Sequence, residues 1–180
     1  MRVPPRLRPI LVNLASAMND ATIEPARADD FLPIAALDRI AWPERPEVFI
    51  PDGEHVWRVW CEYASVLVAR LPQAVLIETG RVAGALVVFP TQQGENFLHK
   101  IMVHPAARGS GLGTRLLAAA LERATAPVLL TVDPANDAAI ALYRRHGFAV
   151  RAEVRGYYRP HEDRYVMVHP GCGGGVSGAS

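Results

Sequence analysis

The densest chemistry in this chain lies between residues 99 and 117, which read His-Lys-Ile-Met-Val-His-Pro-Ala-Ala-Arg-Gly-Ser-Gly-Leu-Gly-Thr-Arg-Leu-Leu. Three glycines, Gly109, Gly111 and Gly113, alternate just ahead of an amphipathic helical pattern. Glycine adopts dihedrals closed to other residues and lets the main chain approach a ligand closely. The first amides of the helix behind them are unpaired and sit at the positive end of its dipole, which makes an anion site. The spacing therefore predicts a phosphate or pyrophosphate here. A Walker loop would need Lys-Ser/Thr after the last glycine, and Thr114-Arg115 stands there instead. A dinucleotide fingerprint wants GxGxxG early in a βαβ unit, whereas this GxGxG comes late in the chain. A Gly-rich turn without a ligand is the plain alternative.

The elements that must hold this loop can be read from periodicity. A strand is expected at 21–25 and a helix from Asp29 or Asp30 to Ala41, where Phe31, Ile34, Ala35, Leu37, Asp38 and Ala41 recur at helical spacing. Pro43, Pro46 and Pro51 stiffen the next loop. A second helix opens near Asp52-Gly53-Glu54, carries Val56, Trp57, Trp60, Cys61, Ala64 and Leu67, and runs on until just before Pro72. A hairpin follows, 74–79 and 82–89 about Gly80-Arg81. Then come a strand at about 95–104, a helix over 114–125, a strand at 128–132, a helix over 136–146 ended by Gly147, and strands at 148–154 and 164–168. The fold class is a mixed α/β sheet with helices packed on it. On the 95–104 strand, period-2 alternation places Phe97, His99, Ile101 and Val103 on one face and Lys100 and Met102 on the other.

Arg108-Gly109-Ser110-Gly111-Leu112-Gly113, with a strand before it and a helix after it, resembles the Arg/Gln-x-x-Gly-x-Gly/Ala signature of the GCN5-related N-acetyltransferase (GNAT) superfamily. The stretch from Asn136 through Ala139, Leu142 and Tyr143 to Gly147-Phe148 is similar to that superfamily's Asn-x-x-Ala-x-x-Leu-Tyr-x-x-x-Gly-Phe helix. The resemblance covers about 21–169 and implies a mostly antiparallel sheet splayed at the cofactor strand, with helices on both faces. It implies acetyl-CoA as co-substrate. Backbone from Arg108 through Gly109, Ser110, Gly111, Leu112 and Gly113 to Thr114 would wrap the pyrophosphate. The main chain of Ile101, Met102 and Val103 would pair with the pantetheine arm and thioester, and Asn136 would contact that arm. By the same resemblance Tyr143 protonates departing CoA, a role suited to a phenol, which is a donor at pH 7. Packing on a helix face is the other reading of this tyrosine.

An attacking amine must lose a proton. His99 aligns with the second of two histidines on this strand in arylalkylamine N-acetyltransferases, Phe97 standing at the first, and histidine suits that task near neutral pH. A hydrogen-bonded structural histidine is the equal alternative. Ribosomal-protein N-terminal acetyltransferases carry a glutamate base where this chain has Thr131, with Asp133 nearby. Their Tyr-Tyr-x-x-(Gly)-Glu-Asp hairpin resembles Tyr157-Tyr158-Arg159-Pro160 with Glu162-Asp163 here. That implies Tyr157 and Tyr158 line the acceptor pocket, with Glu162 or Asp163 attracting a cationic amine. Direct attack on the thioester is the expected course, since no Cys or Ser is placed as a nucleophile. The acceptor would be a small amine or a peptide N-terminus. A CoA-binding module without turnover, or an acyltransferase using another acyl-CoA, stays open.

Composition bounds the rest. The chain has 180 residues, 50% of them apolar, enough for one core. Nineteen Lys and Arg against 18 Asp and Glu give a net charge of +1, which lacks the basic excess of a nucleic-acid binder. No apolar run approaches the roughly 20 residues of a membrane helix, so no membrane partner is expected. Cys61 and Cys172 form no metal-binding spacing, no metal is expected, and two free thiols fit a cytoplasmic location. Residues 1–20 read as a flexible Pro/Arg-rich extension and 170–180 as a disordered Gly-rich tail, leaving 21–169 as the working domain. Relatives are commonly dimers, so a homodimer is among the expected states.

Overall fold

The computed structural model describes residues 8–42 and 51–171, with side chains from 14 onward. Pro43, Pro46, Cys172 and most of the expected tail lie outside the described residues. Two compact units emerge, Met1–Val87 with Ile101–Leu116, and Val88–Lys100 with Leu117–Ser180.

The first unit holds helix α1 (Arg8–Asn19), strand β1 (Thr22–Pro25), helices α2 (Phe31–Ile40) and α3 (Glu54–Tyr63), and strand β2 (Ser65–Arg70). It also holds most of β3 (Val82–Pro90), the last three residues of β4 (Asn96–Val103), and the start of α4 (Leu112–Glu122). Its strands run in the order β1-β2-β3-β4. Val66 and Val68 point into a cluster with Ile34, Leu37, Trp57, Ala85, Val87 and Met102, which α2 and α3 cover. Leu67 and Ala69, one residue out of phase, are buried on the opposite face. There Gly84 sits under α4, where a Cβ would stand 2.9 Å from Leu116 Cδ1, 3.0 Å from the Met102 carbonyl oxygen and 3.5 Å from Ala69 Cβ. A strand covered on both faces needs an unbroken apolar run rather than alternation.

That requirement corrects two expectations. The second helix does not continue toward Pro72. It stops at Tyr63, Ala64 turns extended (φ −112°, ψ 172°), and Ser65–Arg70 becomes β2, paired antiparallel with β1 from Thr22↔Arg70 to Pro25↔Leu67. A short apolar run cannot be told from the tail of a helix by periodicity alone. Because β2 takes the place beside β3, the expected hairpin arm at 74–79 is a turn closed by a Leu76↔Gly80 bridge, with Ile77 exposed.

Arg70 at the end of β2 is buried, with its guanidinium on both oxygens of buried Asp30 (3.1 and 2.6 Å) and on Glu24. Pairing of this kind is what makes a buried charge tolerable. The sequence between 8 and 19, read as flexible extension, contains α1. Ala17 and Met18 are buried, and Arg115 on α4 donates to the carbonyls of Met18 (3.4 Å) and Ala21.

The second unit holds the rest of α4, β5 (Val128–Val132), α5 (Asp137–Arg145), β6 (Ala149–Val154) and β7 (Arg164–His169), in the strand order β4-β5-β7-β6. β5 with β7 and β7 with β6 are antiparallel, while β4 and β5 are parallel. That parallel pairing is brief, only Asn96↔Val128 and Phe97↔Leu129, although β5 continues to Val132. This is the splay expected between the strand before the glycine loop and its neighbour. β6 forms the outer edge. Ala149 to Glu153 are all exposed, the register slips between Val150 and Ala152, and Arg151 pairs with Glu95 (3.0 Å).

Candidate active site

In the first unit, β4 delivers Ile101, Met102 and Val103 to a short turn, Pro105–Ala107, and then to the glycines. His104 opens that turn: its Nδ1 accepts from the Ala106 amide (3.1 Å), so Nε2 carries the proton and lies 3.2 Å from Glu78 Oε2. The contact, with a bond to its own backbone as the larger cause, holds the Glu78 carboxyl below its ordinary value. Met102's side chain belongs to the apolar cluster, which leaves only its main chain for contact with a ligand.

Gly109 (φ 76°) and Gly111 (φ 80°) adopt the left-handed conformation, and a Cβ at either would meet no heavy atom within 4 Å. The protein's own packing does not demand glycine there. The dihedral does, and the open space leaves room for a ligand against the main chain. Gly113 differs: it lies in the first turn of α4, and its Cβ would touch only Val103 Cγ2 at an ordinary 3.6 Å.

Gly111 opens α4, since the Arg115 amide bonds to its carbonyl (3.0 Å), and as glycine it offers no capping side chain. The amides of Leu112, Gly113 and Thr114 are therefore the orphan donors of an uncapped N-terminus. The nearby side chains turn away. Ser110 Oγ donates to the Ala107 carbonyl (2.6 Å), and the Arg108 guanidinium donates to the Ala41 carbonyl at the end of α2. What remains for an anion is backbone N–H and helix dipole, and a pyrophosphate fits that donor set.

In the second unit, Asn136 Oδ1 accepts from the Ala139 amide (3.1 Å) and caps α5, a structural task the sequence reading did not assign. Gly147 (φ 84°) ends the helix. Its amide bonds to the Arg144 carbonyl (3.0 Å) and that of Phe148 to the Tyr143 carbonyl (3.1 Å). This 5→2 and 6→1 pair brings the Phe148 ring onto Tyr143, centroids 5.7 Å apart. The Gly-Phe dipeptide is thus what sets the tyrosine's position.

Burial pushes the Tyr143 phenol up to about 12. Among the described residues its hydroxyl has no hydrogen-bond partner, and only Thr79 Oγ1 is both sealed and unpaired. The Tyr143 oxygen is therefore not fully sealed, although the residue is buried. His99 is half-buried with its ring 6.1 Å from that of Phe89, which also packs on Phe97 (5.7 Å). Phe97 and His99 thus share a face of β4, as expected.

Tyr157 and Tyr158 are exposed and pack edge to face (4.7 Å). Tyr158 lies under the Arg164 guanidinium (5.2 Å), and its hydroxyl is 3.0 Å from Thr131 Oγ1. The acidic pair beside them does not reach outward as expected. Glu162 is buried against Arg159 (3.0 Å) and Arg164 (3.6 Å), and Asp163 accepts from the Gly156 amide (2.9 Å). Asp133 likewise accepts from the Ala135 amide (2.8 Å) and shapes a turn.

Sequence reasoning missed one cluster outright. Asp38, fully buried on α2, takes hydrogen bonds from Trp42 Nε1 (3.2 Å), Trp57 Nε1 (3.1 Å) and the Asp52 amide (2.8 Å). An aspartate on the apolar face of a helix pattern was the available signal. Among the described residues, no three His, Cys, Asp or Glu side chains gather as metal ligands, and no helix is long and apolar enough to cross a membrane.

Comparison with known proteins agrees with this geometry. The model of the acetyltransferase (GNAT) family matches residues 34–148. The N-alpha-acetyltransferase RimI of Mycobacterium tuberculosis is 46% identical over 72 residues, 39% of this chain and 46% of that protein, so the match spans less than half of that relative. The solved ribosomal-protein-S18-alanine N-acetyltransferase of Escherichia coli superposes with a TM-score of 0.69 at 25% identity, over 89% of this chain and 99% of that one. Arabidopsis thaliana NAA60, solved with a bisubstrate analogue, shares the fold at 16% identity with a TM-score of 0.68, over 83% and 98%.

Proposed function

The chain belongs to the acetyltransferase (GNAT) family, and from that premise we propose that it is an acetyl-CoA-dependent N-acetyltransferase whose acceptor is a peptide α-amine. The observation that carries the reading is the loop. Two left-handed glycines with open Cβ positions stand before a helix that opens on glycine, and the Arg108 and Ser110 side chains are committed to main-chain carbonyls. Acetyl-CoA would supply the acetyl group as an activated thioester.

The chain's own groups supply the rest. Amides from Arg108 to Thr114 bind the pyrophosphate, and the main chain of Ile101, Met102 and Val103 orients the pantetheine arm and thioester. His99, directly or through water, takes the proton that the acceptor amine must lose. Thr131 stands where ribosomal-protein acetyltransferases carry glutamate, so no carboxylate serves that purpose on β5. Tyr143, held at about 12 by burial, stays protonated at every working pH and donates toward the departing thiolate. Against a thiol near 8.5, delivering the whole proton is uphill by about 5 kcal/mol, so the hydrogen bond is the larger contribution. Tyr157 and Tyr158 present exposed aromatic surface to the acceptor, and Asn136 supports Tyr143 by capping α5, the helix that carries it.

The peptide acceptor rests on the RimI relative and on the fold-matched S18-alanine acetyltransferase. The test is calorimetric titration with acetyl-CoA, wild type against Gly111→Trp, followed by thiol release with Ala-initiated peptides and with small amines. Micromolar one-to-one binding lost in the variant, with turnover on peptides, is the expected result. Absence of binding to wild type removes the cofactor reading. Binding without thiol release on any amine would leave a CoA-binding module instead.

A further inference from the structure

Arg108 links the glycine loop to a distant stretch of the first unit. Its guanidinium donates to the carbonyl of Ala41, the C-cap of α2. Trp42 follows, tied through Nε1 to Asp38 Oδ1, while Asp38 Oδ2 takes both the Asp52 amide and Trp57 Nε1. One buried carboxylate thus fastens the residue leaving α2, the residue approaching α3 and the aromatic core of α3. Arg108 joins that assembly to the loop by one further bond.

We propose that Arg108 is a positioning residue that couples occupancy of the glycine loop to order in the Asp38 cluster, that is Ala41 and Trp42 at the end of α2 with Asp52 and Trp57 at the start of α3. The inference rests on the reading that the loop takes the pyrophosphate of acetyl-CoA. Anion contacts to the loop amides fix the Arg108 backbone, and a fixed backbone holds the guanidinium on Ala41. The alternative, a swing of the guanidinium onto the phosphate, is disfavoured on three counts. Ala41 is buried, so its carbonyl would lose its donor at the full cost of desolvation. An exposed ion pair returns little. A cation at the end of α2 also complements the helix dipole. Coupling of this kind is reciprocal, so order in the Asp38 cluster favours cofactor binding to the same extent.

The test is amide exchange, by mass spectrometry, of peptides covering 38–42 and 51–57, with and without free CoA. Wild type, Arg108→Gln and Arg108→Lys are compared, and CoA affinity is measured on each by calorimetry. In wild type, CoA should slow exchange at Asp52 and Trp57 by about fivefold or more. Arg108→Gln should lose that slowing and, because the coupling is reciprocal, bind CoA about fivefold more weakly, and Arg108→Lys should restore part of both. CoA binding to wild type with unchanged or faster exchange overturns the coupling and leaves the cofactor reading standing, as does slowing that persists in Arg108→Gln. Failure of wild type to bind CoA removes the cofactor reading, and the coupling with it.

Discussion

The glycine loop and the Tyr157–Tyr158 turn do opposite things with their side chains. In the loop, Arg108 and Ser110 are spent on carbonyls, Gly109 and Gly111 have none, and the surface offered is main chain. In the turn, the main chain is fastened by Asp163 and Glu162, and the surface offered is two aromatic rings and a Tyr158–Thr131 hydroxyl pair. On the proposed reading the main-chain donors take the cofactor and the side chains meet the acceptor.

The sharpest way to break the contrast is to alter the loop's dihedrals. Gly111→Val should raise the Kd for acetyl-CoA at least 100-fold, because a β-branched residue at φ 80° is strained whatever the space. Gly113→Ala should change it less than about threefold, since its Cβ meets ordinary contact only. Equal effects by calorimetry would mean that the glycines serve as one flexible hinge.

Tyr143→Phe should lower kcat about 100-fold while leaving the acetyl-CoA Kd nearly unchanged, as expected for a donor used only in the transition state. With its phenol near 12, Tyr143 should contribute no descending limb to the pH–rate profile below about pH 11. Its folded value lies above the ordinary 10, so its contribution is intact below pH 10 and is lost as pH rises toward about 12. Urea unfolding of wild type and the Phe variant at pH 9 and 11 should show that loss in wild type alone.

Gly84→Ala acts on the loop's side of the comparison from underneath. The new methyl stands 3.0 Å from the Met102 carbonyl, a rigid neighbour, and should cost about 1–3 kcal/mol in urea unfolding. It should also weaken acetyl-CoA binding, because Met102 lies on the strand assigned to the thioester. Stability unchanged within error would show that β3 has slack there.

The smallest effect belongs to the turn. Thr131→Val and Tyr158→Phe should each raise the peptide KM about fivefold and leave acetyl-CoA affinity untouched. Their double-mutant cycle should show coupling of about 1 kcal/mol. Additivity would mean that the two hydroxyls act separately.

How far the sequence reached follows the same division. Glycine geometry is local, so Gly109 and Gly111 were legible from spacing, and Asn136 and Gly147-Phe148 marked the ends of the Tyr143 helix. The end of α3 was not legible, because Ala64 to Leu71 is apolar at every position but two and suits a helix or a doubly buried strand alike. The side chains of Glu162 and Asp163 look available in a sequence, and only the fold shows that they are bound to Arg159, Arg164 and Gly156. Asp38 illustrates the largest gap, since Trp42, Asp52 and Trp57 converge on it only in three dimensions.

The outer strand β6 bears on how the protein behaves in concentrated solution. An exposed sheet edge ordinarily invites a second chain to add its own strand. Here the ladder is broken by the slip between Val150 and Ala152, and Arg151 and Glu153 set opposite charges along it. Such an edge is a poor template for stacking, and light scattering at millimolar concentration should find the particle size unchanged over days.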